Sequence, residues 1–134
     1  MGLIIPLYAL IAPFILWPIE YYLPYPFIFE EIAKGILVYI VVTDKTIKNK
    51  VSTVVVAALL FSISESFFYL INIYQVGNIS TLFMRFILTT PLHIITSLII
   101  LFFGMKDKRL IPLGVVIAGV IHLFFNATIL TLKL

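Results

Sequence analysis

Glu30, Glu31 and Lys34 stand inside an apolar run, FIFEEIAKGILVYIVV, that extends from Phe27 to Val42. Ionisable groups at membrane depth are expensive to bury, so they face a bundle interior, pair with one another and mark function. On a helix both carboxylates reach the ammonium, Glu30 from four residues away and Glu31 from three. Three further polar sets recur at helical spacing in apolar surroundings. Ser62, Glu65, Ser66 and Tyr69 form one stripe, Arg85, Thr89, His93 and Ser97 a second, and His122 with Asn126 a third. Four such stripes need a shared interior.

The three carboxylates Glu30, Glu31 and Glu65 outnumber the two cations Lys34 and Arg85, which are read as charge-balancing. With both histidines neutral, the cluster carries one excess negative charge when fully ionised. A buried net charge shifts a pKa or recruits a counter-ion. Either one glutamate holds a proton, which suits a general acid or base, or a divalent metal occupies the site. Glu65, His93 and His122 would supply the two-histidine, one-carboxylate set of a catalytic zinc, with a fourth position left for water. Glu30 or Glu31 would then deprotonate that water, and Asn126 would donate a hydrogen bond to a developing oxyanion.

Absent residues narrow the chemistry further. There is no cysteine, so thiolate nucleophiles, disulfides and cysteine zinc sites are excluded. The only aspartates, Asp44 and Asp107, lie in basic loops, which argues against an aspartic dyad and a Ser-His-Asp triad. Neither His-Glu-x-x-His nor Gly-x-Ser-x-Gly occurs. Glutamate-driven activation of water is what remains.

The elements that must hold these residues follow from composition. Of 134 residues 63% are hydrophobic and 11% charged, with a mean hydropathy of +1.21. A soluble domain of that length lacks the polar surface to face water, so the chain reads as one integral-membrane domain, residues 1–134, of all-α class. Five segments are expected, at about Leu3–Ile19, Phe27–Thr43, Val51–Tyr74, Ile79–Met105 and Leu110–Leu132. The first contains Pro6, Pro13 and Pro18 and reads as a retained segment, spanning or re-entrant; a re-entrant segment leaves four spans. The net charge of +3 sits in short loops, which gives no footprint for nucleic acid.

Lys45, Lys48 and Lys50 lie between segments 2 and 3, and Lys106, Lys108 and Arg109 between segments 4 and 5. The positive-inside rule places both loops in the cytoplasm of a multi-pass cell-membrane protein. The C-terminus is then outside, and the N-terminus is cytoplasmic where the first segment spans. Counting from the outer ends, Glu30 and Glu31 lie at about 5 Å, Asn126 at about 9 Å, Lys34 at about 10 Å, Glu65 at about 13 Å, His122 at about 15 Å and His93 at about 20 Å. Arg85 is near the outer surface. The cluster is thus expected between the midplane and the outer face.

Glu30-Glu31-x-x-Lys34, Phe61-x-x-x-Glu65-x-x-x-Tyr69, Arg85 with Pro91-x-His93-x-x-x-Ser97, and His122-x-x-x-Asn126 resemble the successive motifs of the PrsW family. These intramembrane proteases are grouped with the CAAX prenyl endopeptidases and bacteriocin-processing relatives. The resemblance covers nearly all of the chain beyond Pro26 and implies a multi-helix membrane metalloprotease. It also implies a membrane-anchored protein substrate, such as an anti-sigma factor cut outside the cytoplasm. The CAAX type is the poorer match, because Lys34 stands one residue closer to the glutamate pair and Glu65 replaces a histidine. Two other functions fit the same polar residues: a non-catalytic membrane scaffold of this fold, and a small proton- or cation-coupled transporter. No internal repeat supports the transporter. Ser62, Ser66 and Ser97 read as close-packing contacts, and Tyr69 as a partner that orients Glu65.

Overall fold

In a computed structural model the described residues are 3–76 and 79–131, apart from the side chains at 20, 21, 68, 69, 71–76, 79, 81, 82, 85, 130 and 131. They form five helices and no strand: α1 (Ile4–Tyr22), α2 (Pro26–Thr43), α3 (Lys50–Val76), α4 (Ile79–Lys106) and α5 (Ile111–Thr131). A 3-10 turn at Lys108–Leu110 joins the last two. The first segment is continuous helix, with Pro6 in its first turn and Pro13 and Pro18 inside it. Proline in the first turn forfeits no intrahelical bond; the other two each remove a donor. Three helices carry stretches long and apolar enough to cross a membrane: Lys50–Phe67, Phe86–Lys106 and Lys108–Ile129. The apolar part of α1, Ile4–Ile19, is shorter. In α2 the three ionisable groups break up an otherwise apolar helix of 18 residues.

The helix ends are made by side chains of the right type. Pro26 occupies the first turn of α2, where its fixed φ suits a helix start. Asn49 Oδ1 accepts the Ser52 N–H at 3.0 Å and caps α3. At the far end of α2, Lys50 Nζ donates to the carbonyls of Val41 (2.7 Å), Val42 (2.8 Å) and Asp44 (3.2 Å). Those carbonyls have no further turn to bond, and the ammonium also complements the negative end of the helix dipole.

α4 packs against α2, α3 and α5, while α1 lies on α2 and α3. An apolar core of Ile5, Leu37, Val41, Val54, Ile100, Ile111 and their neighbours fills the half of the bundle near the two basic loops. α1 begins at that end, where Ile5 and Pro6 line a cavity with Thr46, Ile47 and Lys48. Small residues set the helix separations, as expected where lipid replaces water outside the bundle. A Cβ on Gly114 would stand 2.9 Å from the Cα of Ile100, so α4 and α5 meet nearly backbone to backbone. Gly114→Ala therefore forces these helices apart and is expected to lower stability by about 1–3 kcal/mol, measured by thermal unfolding in detergent.

Candidate active site and metal centre

The other half of the bundle is polar inside. α2 turns Glu30, Glu31 and Lys34 inward, with residual exposures of 6%, 1% and 3%. α4 contributes His93 and Thr96, and α5 contributes His122, all buried. Glu65 of α3 keeps 13% of its side chain exposed. Helical spacing alone explains how one face of α2 carries both Glu31 and Lys34, one turn apart.

Two groupings share this interior. In the first, Lys34 Nζ donates to Glu31 Oε1 at 2.6 Å and to Thr96 Oγ1 at 3.1 Å. The same Glu31 oxygen lies 2.8 Å from His122 Nδ1. Glu31 is thus gripped through one oxygen by a cation and an imidazole. In the second, His93 Nε2 lies 2.6 Å from Glu65 Oε2, and one ligand atom each from Glu30, Glu65 and His93 falls within 4.8 Å of the others. His122 Nε2 bridges toward this group, 3.8 Å from Glu30 Oε2. Aromatic rings wall the site: Phe61 stands 5.4 Å from the His93 ring and 5.6 Å from Lys34 Nζ, and Phe27 stands 5.6 Å from the His122 ring. The histidine rings meet edge to face at 5.9 Å.

Six of the residues expected to form the site therefore come together: Glu30, Glu31, Lys34, Glu65, His93 and His122. Their partition differs from the expected one. Glu30 joins Glu65 and His93 in the ligand-spaced group, whereas His122, expected there, turns its Nδ1 to Glu31. Asn126 lies half-buried one turn beyond His122 on α5. Arg85 and Tyr69 belong to α4 and α3, but their side chains lie outside the described residues. Ser66 bonds back to the Ser62 carbonyl at 2.8 Å, and Ser62 meets Thr90 across α3 and α4 at 2.8 Å, so both serines serve packing.

Sequence reasoning missed Thr96. It lies three residues after His93, on the same face as the chosen Ser97, and spacing cannot rank the two. Its hydroxyl accepts from Lys34 and donates to the His93 carbonyl at 3.3 Å, tying the two groupings together. Phe27 and Phe61 are walls of the site, a role that helical spacing does not reveal. Thr96→Val removes a hydrogen bond from a buried ammonium and is expected to lower stability by about 1.5–3 kcal/mol. Thr96→Ser should restore it. Thermal unfolding of the two variants side by side checks both outcomes.

The donor set suits a divalent cation. Among the described side chains, three carboxylates face a single ammonium. Glu30 Oε2, Glu31 Oε2 and His93 Nδ1 are buried without a hydrogen-bond partner among the described residues. Buried polar atoms are almost always satisfied, and a dication held by Glu30, Glu65 and His93 would answer both the charge and the orphaned Glu30 oxygen.

A buried carboxylate–histidine cluster inside an apolar helical bundle defines a membrane protein with a candidate hydrolytic metal centre. Residues 26–134, beginning at the first residue of α2, match the family described as PrsW family intramembrane metalloprotease, and the chain belongs to that family. Membership gives its class, a membrane-embedded protease. Comparison with curated proteins and with solved structures gives no significant match.

Proposed function

We propose that this protein hydrolyses a peptide bond of a membrane-anchored protein near the outer leaflet of the cell membrane. The observation that carries the reading is the Glu30–Glu65–His93 group set directly beside a Glu31 that is fixed through one oxygen only. Glu30, Glu65 and His93 would hold the cation, for which zinc is proposed because imidazole and carboxylate both suit it. Bound there, zinc would polarise the scissile carbonyl and lower the pKa of a water.

The rest of the reaction belongs to the chain. Glu31 presents its unpartnered Oε2 as general base and takes a proton from the attacking water as the new C–O bond forms. That proton then passes to the amine nitrogen as the C–N bond breaks. Lys34 and His122 keep Glu31 in one rotamer, the orientation a base needs before its substrate arrives. Asn126, on the His122 face of α5, is proposed as the donor to the developing oxyanion. The aromatic walls and the apolar bundle exclude bulk water, which strengthens each of these interactions.

The outer-leaflet side is supported by the position of the cluster, away from the bundle end that carries both basic loops. The test is cleavage of single-pass reporter proteins in liposomes, with the cut mapped by mass spectrometry. Cleavage that stops with a chelator and returns with zinc is the expected result. A chelator-resistant protein that cuts nothing and tolerates Glu31→Gln in cells would instead be a scaffold.

A further inference from the structure

Between α2 and α5 the bundle is open at its side. A cleft of about 890 Å³ runs there, lined almost wholly by apolar side chains. Its charged residues sit at its two ends: Glu31 at one, and Lys108 with Arg109 at the other. Ile36 of α2 and Val116 of α5, half or more exposed, form its flanks. Gly119 leaves the cleft wide, since a Cβ added there would meet nothing within 4 Å.

Charge and length together select an occupant. Among the described residues, neither the Lys108 nor the Arg109 side chain has an ion-pair partner. The nearby Asp107 carboxylate is engaged by the Arg109 backbone N–H at 2.8 Å. The α5 wall from Ile111 to Leu123 rises about 18 Å, close to the ~15 Å depth of one leaflet of hydrocarbon. An apolar channel of one-leaflet length with two free cations at its mouth matches a lipid tail below an anionic headgroup.

We propose that this cleft binds one anionic phospholipid, its phosphate on Lys108 and Arg109 and an acyl chain reaching along α2 and α5 to the level of Glu31. A transmembrane peptide segment is the weaker fit. On the orientation proposed above, such a segment carries Lys or Arg at the same face, where Lys108 and Arg109 repel it. With the lipid in place, the lateral approach to Glu31 from the bilayer is filled.

Trp17 is the only tryptophan, so a single reporter can be moved into the cleft. Trp17→Phe with Ile36→Trp is reconstituted in phosphatidylcholine vesicles, and quenching by brominated phosphatidylglycerol is compared with quenching by brominated phosphatidylcholine. The expected result is a preference of about fivefold for the anionic lipid. It should fall to near one in Lys108→Gln/Arg109→Gln, whose sites are exposed and leave the fold alone, and in Gly119→Phe, which fills the cleft. Equal quenching by the two lipids, or a preference that survives loss of both charges, overturns the proposal and leaves the cleft to a peptide segment or to bulk lipid.

Discussion

Glu31→Gln is expected to abolish cleavage and, in the same protein, to lower stability by about 3–5 kcal/mol. Both effects come from one carboxylate, through its two oxygens. Glu31 Oε1 is the counter-ion of Lys34, and the two side chains are 1% and 3% exposed. Removing the negative charge leaves the buried Lys34 ammonium with neutral hydrogen-bond acceptors only, Thr96 Oγ1 among them, in place of its counter-ion. The two effects separate in the double variant Glu31→Gln/Lys34→Met. Replacing both members of a buried ion pair by neutral groups is often near neutral for stability, so thermal unfolding in detergent should return toward wild type. Cleavage should stay abolished, because the base is still missing. An unchanged melting temperature in Glu31→Gln alone would mean that the pair does not carry the burial described.

The second large effect concerns metal content. Zinc per chain, measured after purification without chelator, is expected near one for wild type and near zero for Glu30→Gln, Glu65→Gln and His93→Ala. His122→Ala is expected to retain zinc, because His122 bonds Glu31 and none of the three proposed ligands. It should nevertheless lose most cleavage, since Glu31 is then held by Lys34 alone. The reverse pattern, metal lost with His122→Ala and kept with Glu30→Gln, would restore the ligand set expected from sequence.

That set shows where sequence reasoning reaches its limit. The helices were legible because a chain so apolar has one way to bury its backbone, and the loop signals at DKTIKNK and KDKR are strong. The stripes were legible because a period of 3.6 residues is a property of each helix by itself. The partition was not. Glu30 and Glu31 are adjacent, about 100° apart around α2, and which one meets His93 depends on how α2 is rotated against α3, α4 and α5. No pattern within α2 encodes that rotation; close approaches such as Gly114 on Ile100 do. Depth counted from helix ends misled in the same way. His93 was expected some 15 Å deeper than Glu30, by rise per residue. The two lie in one group because the helices do not end at a common level. Thr96 over Ser97 is the same problem at the scale of one residue.

Lys50 gives α2 the mechanics of a lever. It clamps the last carbonyls of that helix from the first turn of α3 and so fixes one end. Glu31 lies eleven residues away from Val42, about 16 Å along the axis. A rocking of α2 by only 5° about the clamped end would carry its carboxylates through roughly 1.4 Å at that radius. Misplacement by about 1 Å is enough to change a rate a hundredfold. The fulcrum stands beside a basic loop and the tip in the buried cluster, so a shift at one end of the bundle has a mechanical route to the carboxylates toward the other.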